Sequence, residues 1–355
     1  MNSQLSLPLP RKLAGLLLGL GISALAFWWA MPKDGLRSLP GYVASARAST
    51  LLLAVVVATS TFLIRAARWR LLLKAEGGAP PSWGAAWHAT TIGFMANNVL
   101  PFRLGEIVRA LTLSRLDTTP FPAAVASIAV ERVFDALAVV GLFAFALAGS
   151  DVGRDLTVGG HPAAQFIRLV GILGVGALIA AAVGGLYPDA AERLLRAVVP
   201  WKGLADKLAG PLRAFAHGLQ VLHDPRRIAL VVLGSVALWV INAWSFGIAF
   251  QAFGLPGSLQ VALIVQMFVV FGVALPAAPG YIGVFELAII IGLKLFAVEK
   301  NPAFAAGLTY HVLTYIPITL LGAWSLSRTG LKLGGLRQSP TSGTPDSGLR
   351  ASGPS

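Results

Sequence analysis

Glu131-Arg132-Val133-Phe134-Asp135 places two carboxylates and a guanidinium inside an otherwise apolar run. Glu131 and Asp135 are four residues apart and share a helix face, and Arg132 lies three residues from Asp135. A charge at the centre of a bilayer costs about 2.5–3.5 kcal/mol on insertion scales, so these groups must pair or face a polar cavity. Two chemistries suit them: a structural ion network between helices, or a site for a charged substrate.

Two further segments are broken where an apolar helix should continue. In Asn97-Asn98-Val99-Leu100-Pro101-Phe102-Arg103-Leu104-Gly105-Glu106-Ile107-Val108-Arg109, Pro101 and Gly105 interrupt the helix and free backbone donors beside Arg103 and Arg109. Arginine matches phosphate geometry bidentately, so this pattern suits an anionic headgroup, although an ordinary loop with basic residues would carry it too. In Leu275-Pro276-Ala277-Ala278-Pro279-Gly280-Tyr281-Ile282-Gly283-Val284-Phe285-Glu286, a close helix crossing would explain Gly280 and Gly283 but not Glu286. Broken backbone at membrane depth needs protein or water to satisfy it, and paired breaks in two halves of a chain point to a transporter-like site. The expectation is that both breaks meet at one polar cavity, with Glu131 and Arg132 lining it.

These residues must be positioned by membrane helices. The chain has 355 residues, 56% of them hydrophobic and 12% charged, with a mean hydropathy of +0.74; soluble domains carry about 25% charged residues. With no cysteine, disulfides and thiolate chemistry are excluded, and the five histidines show no H-E-x-x-H or paired spacing, so neither a metal nor any other cofactor is implied. Apolar runs of spanning length occur near 13–31, 49–64, 121–149, 164–187, 228–254, 259–275, 280–298 and 303–326. The sequence thus predicts an all-α polytopic membrane bundle of about eight helices, with 83–101 as a re-entrant element. The first run ends in Phe27-Trp28-Trp29 and not in a small-residue cleavage site, so it reads as a retained helix.

The formal charge of +13 reads as basic cytoplasmic loops and not as a nucleic-acid partner. Placing both termini inside puts 20 of the 28 Lys and Arg residues in cytoplasmic pieces and six outside. Arg65-Ala66-Ala67-Arg68-Trp69-Arg70 would then anchor the second helix at the inner interface. Residues 1–12 read as a cytoplasmic N-terminus and 13–327 as the transmembrane domain. Within 188–227, Leu204, Leu208, Leu212, Phe215, Leu219 and Leu222 recur at helical spacing while Lys202, Lys207 and Arg213 lie elsewhere on the wheel, which suits an amphipathic helix on anionic inner-leaflet lipids or one packed on the protein itself. The Gly/Ser/Pro-rich tail, 328–355, reads as disordered.

Four motifs in this order resemble the flippase-like membrane family that includes the transmembrane region of bacterial lysylphosphatidylglycerol synthases, the multiple peptide resistance factors. They are Arg65-x-x-Arg68-Trp69, Asn98-x-x-Pro101-x-Arg103-x-Gly105-Glu106-x-x-Arg109, Glu131-Arg132-x-x-Asp135 and Pro279-Gly280-x-x-Gly283-x-x-Glu286, spread over residues 10–328. The resemblance implies a multi-pass protein of a prokaryotic cell membrane that moves a lipid or glycolipid headgroup between leaflets. The aminoacyltransferase domain of the full synthases is not matched, so lysyl transfer is not expected of this chain. Its expected partners are membrane lipids, with homo-oligomerisation left open. Against this stand a membrane enzyme acting on a lipid-linked substrate and a non-catalytic subunit of a lipid-modifying system.

Overall fold

The computed structural model describes residues 9–34, 36–73, 79–100, 104–150, 157–158, 161–162, 172, 187–198, 201, 203, 206, 209 and 224–331. The helices are α1 (Leu9–Ala30), α2 (Leu39–Ser45), α3 (Ala48–Leu72), α4 (Trp83–Val99), α5 (Gly105–Leu116), α6 (Phe121–Ala148), α7 (Pro188–Val198), α8 (Pro225–Ala252), α9 (Leu259–Ala274), α10 (Val284–Lys294) and α11 (Lys300–Thr329). The described chain is all-α apart from one antiparallel pairing of Thr157–Val158 with His161–Pro162. The span expected at 164–187 (Ile172 and Tyr187 excepted), the leucine and phenylalanine positions from Leu204 to Leu222 and the tail from 332 lie outside the described residues.

Among the described residues, α3, α8 and α11 are long and apolar enough to cross a membrane. The 28-residue α6 has the length as well, but Glu131, Arg132 and Asp135 interrupt its apolar surface. The main core lies where α8, α9, α10 and α11 meet, around Phe250, Ile264, Ile289 and Phe304. A second core, built on Trp69, Ala89, Leu113 and Ile128, joins α3, α4, α5 and α6.

Two antiparallel hairpins of short helices are set into this frame. In the first, α4 returns as α5; a Cβ on Gly93 would lie 2.6 Å from the Arg109 Cβ, so glycine lets the two helices close. In the second, α9 returns as α10, with Gly272 facing Val284 and Ala288 at one end and Gly292 facing Val265 at the other. The 16-residue α9 and 11-residue α10 are about 24 and 17 Å long at 1.5 Å per residue, short of a hydrocarbon core about 30 Å thick. The runs at 259–275 and 280–298, expected as two crossings, form this antiparallel pair.

The tips of the hairpins meet. A 3₁₀ turn at Pro279–Tyr281 lies beside the end of α4, where the Tyr315 hydroxyl donates to the Asn98 carbonyl at 3.1 Å. Gly280 and Gly283 have φ of 73° and 92°, conformations that other residues reach only with strain. At Gly283 the reason is twofold, since a Cβ there would also strike the Ser23 carbonyl and come within 2.8 Å of the Phe27 nitrogen on α1. Gly283→Ala is expected to destabilise the protein by more than the about 1–3 kcal/mol of backbone strain alone. Gly280→Ala should cost less, because its added methyl meets the Tyr315 ring edge, a side chain that can turn. Thermal unfolding in detergent compares the two; equal losses would contradict the α1 contact.

Candidate functional site

α3 continues as a helix eight residues beyond the expected end of its span, and this carries Arg65 and Arg68 into the protein. They do not anchor the inner interface: Arg65 is 8% and Arg68 1% exposed. Arg68 Nη1 binds Asp135 Oδ1 and donates to Ser235 Oγ at 2.7 Å, while its Nη2 lies 3.1 Å from Glu131 Oε1. Carboxylates on α6 thus draw the arginines inward, which a single apolar run could not reveal.

Glu131 is fully buried and faces three guanidiniums: Arg68 at 3.1 Å, Arg109 at 3.1 Å and Arg132 at 2.7 Å. Arg109 lies over the Trp69 ring at 3.8 Å, and Trp69 donates through Nε1 to Ser127 at 2.9 Å. Asp135 accepts from Trp239 Nε1 at 3.0 Å and pairs with Arg132 at 3.4 Å. At the rim Arg132 reaches Glu106 at 3.8 Å, both about one-third exposed. Arg109, expected to hold a headgroup directly, is thus bound to Glu131. Arg103, its expected partner, lies outside the described residues, as does Pro101.

Arg65 is the exception. Among the described residues it makes no ion pair or hydrogen bond, and it sits among the rings of Phe62, Phe94 and Trp239 at 6.0, 5.0 and 5.7 Å. Its Nε is buried without a partner. Among the described residues the cluster therefore sets four arginines (65, 68, 109 and 132) against Glu131, Asp135 and Glu106 at the rim, leaving one positive charge over. Isolated buried cations are costly, so an anion beside Arg65 would lower the energy.

Glu286 belongs to a different group. Its Oε2 accepts from the Gly283 N–H at 2.6 Å, capping α10, and its Oε1 lies 2.6 Å from His311 Nδ1 on α11. His311 also stacks on Phe285 at 4.1 Å. Beside them, Asn97 Oδ1 accepts from the Gly105 N–H at 2.9 Å, and Asn98 Nδ2 donates to Thr319 at 3.0 Å. No ion pair or hydrogen bond between described residues joins Glu286 to Glu131 or Arg132, so the described contacts group these side chains into two polar clusters. Pro279 and Gly280 belong with Glu286, and Glu106 and Arg109 with Glu131.

His311 was missed because histidines were screened for metal spacing; an ionisable side chain midway along an apolar helix was the available signal. His311→Phe strands a fully buried carboxylate oxygen and is expected to cost about 1–3 kcal/mol, with His311→Gln, which can still donate, recovering part of it. Melting curves of the two variants check this; equal losses would contradict the bond.

A bundle of apolar helices with a buried charge cluster and two hairpins of short helices defines an integral membrane protein. The model of the lysylphosphatidylglycerol synthase transmembrane region matches residues 16–322, and the chain belongs to that family. It is 27% identical over 338 residues to glycosyltransferase AglD of Haloferax volcanii, covering 87% of this chain and 53% of the relative. The chain thus spans about half the length of that protein. UPF0104 membrane proteins of Methanocaldococcus jannaschii and Methanothermobacter thermautotrophicus are each 24% identical, over 64% and 72% of this chain and 91% and 76% of theirs. No solved structure matches the chain.

Proposed function

We propose that this protein moves an anionic or polar-headgroup lipid, or a glycolipid, between the leaflets of the cell membrane. The observation that carries this reading is the positive charge left over in the cluster at Arg65, buried among aromatic rings and with no ion pair or hydrogen bond among the described residues. An anionic headgroup supplies that counter-ion, and leaving the site restores the unbalanced state, so binding need not be a trap. The opposed hairpins, α4–α5 and α9–α10, support the same reading, because broken helices at membrane depth are how transporters expose polar groups to a passing substrate.

Both termini are placed in the cytoplasm. Moving Arg65, Arg68 and Arg109 from the loops to the buried cluster lowers the inside count from 20 to 17 against six, and the bias still holds. The expected eight membrane segments are kept, with two of them forming the α9–α10 hairpin.

The test is a leaflet assay in proteoliposomes, with dithionite quenching of head-labelled phosphatidylglycerol and phosphatidylcholine. Expected is faster loss of inner-leaflet label with the protein present, greater for the anionic lipid. The glycosyltransferase relative favours a second reading, a membrane part of a lipid-glycosylating system. Sugar transfer to a lipid carrier without any translocation would support that reading and overturn the first.

A further inference from the structure

The face of α1 that carries Gly19, Ile22, Ala26 and Trp29 borders two cavities that follow one another along the helix. The upper one, about 480 Å³, is a groove between α1, α9 and α10 lined by Ile22, Trp29, Phe271, Leu275, Leu287 and Ile291, all apolar. The lower one, about 220 Å³, is a slot between the hairpin tips, lined by Gly19, Asn97, Leu275, Tyr281 and the backbone of Pro276–Ala278. Leu275 belongs to both, so the groove opens onto the slot. The chemistry changes where they join, from hydrocarbon to an amide side chain, a phenol and the backbone of a broken segment.

Depth gives this a meaning. Gly19 lies midway along the 22-residue α1, and Trp29 is about 15 Å further along the axis, half of a hydrocarbon core about 30 Å thick. Trp28 and Trp29 are exposed at that end, as interfacial tryptophans are. The slot therefore sits at mid-membrane depth and the groove runs from it to one surface. At that depth the Asn97 amide and the backbone of the broken segment favour a hydrogen-bonding occupant, and the apolar groove favours a hydrocarbon chain over water.

Resting on the transport reading above, we propose that groove and slot form one lipid site: a hydrocarbon chain lies along α1 while a hydroxyl-bearing headgroup occupies the slot. The lipid is then held with its head halfway across. The slot also touches the charge cluster indirectly. Asn97 accepts from Gly105 at 2.9 Å, and the next residue, Glu106, faces Arg132 at 3.8 Å.

Phosphatidylglycerol carrying a mid-chain diazirine, photolysed in vesicles with the full-length protein, locates the chain by mass spectrometry of the adducts. Expected are adducts concentrated at 22–29, 268–275 and 284–291. Ile291→Trp, which fills the groove from its rim, should reduce them by about tenfold, with unchanged melting. Leu52→Trp, on the exposed face of α3, should leave them as they are. Adducts spread over Leu52, Leu233 and Leu320 in proportion to exposure would mean annular lipid only and overturn the site, as would groove adducts indifferent to Ile291→Trp. Groove adducts in a protein that fails the leaflet assay keep the site and remove the transport reading alone.

Discussion

Glu131→Gln is expected to lower the unfolding free energy by about 3–5 kcal/mol, the usual cost of removing one partner from a buried ion network. Glu131 is fully buried and lies within 3.1 Å of guanidinium nitrogens from Arg68, Arg109 and Arg132. Neutralising it leaves four arginines against Asp135 and the rim residue Glu106. Glu131→Asp keeps the charge and should lose less. Combining Glu131→Gln with Arg109→Gln removes a stranded cation as well, so the double variant should be more stable than the two single losses added together. Thermal unfolding in one detergent measures the four variants against the parent. A Glu131→Gln protein that melts like the parent would show that the ion network does not hold the bundle.

Arg65→Met is expected to do the reverse. Arg65 has no ionic partner among the described residues, so its loss strands nothing, and methionine suits the space among Phe62, Phe94 and Trp239. The lost cation–π contact, worth about 0.5–2 kcal/mol, is offset by removing a buried charge, so melting should not fall appreciably. Transport of head-labelled phosphatidylglycerol should nevertheless drop by about tenfold or more, equivalent to ~1.4 kcal/mol of headgroup attraction, while any movement of phosphatidylcholine changes little. Arg65→Lys keeps the charge and should retain part of the activity. Loss of stability without loss of charge selectivity would make Arg65 a structural residue. The contrast between positions 65 and 131 separates a substrate site from a scaffold, which neither variant does alone.

The charged motifs were legible because ionisable residues stand out in an apolar run; their pairing was not. Arg68 meets Asp135 across 67 residues of chain, and nothing local marks that contact. Arg65 and Arg68 follow an apolar run ending near residue 64, so composition places them at an interface, whereas the helix continues to Leu72 and its partners lie on α6 and α8. The proline and glycine breaks at 275–283 were equally visible. That α9 folds back onto α10 depends on Gly272 and Gly292 meeting the facing helix, a tertiary fact that hydropathy does not contain. The first broken segment was visible from its proline and glycine, but not that α5 completes a hairpin with α4. His311 shows the same limit from the other side, since its importance comes only from facing Glu286.

The central claim is that the charge left over at Arg65 holds an anionic headgroup, and lipid retention by the purified protein tests it most directly. Native mass spectrometry of parent and Arg65→Met proteins, each equilibrated with equal amounts of phosphatidylglycerol and phosphatidylcholine, reads the bound lipid as a mass shift. Expected is one phosphatidylglycerol retained by the parent in preference to phosphatidylcholine, and loss of that preference in Arg65→Met. Equal retention of both lipids by the parent, or an undiminished preference in the variant, would contradict it.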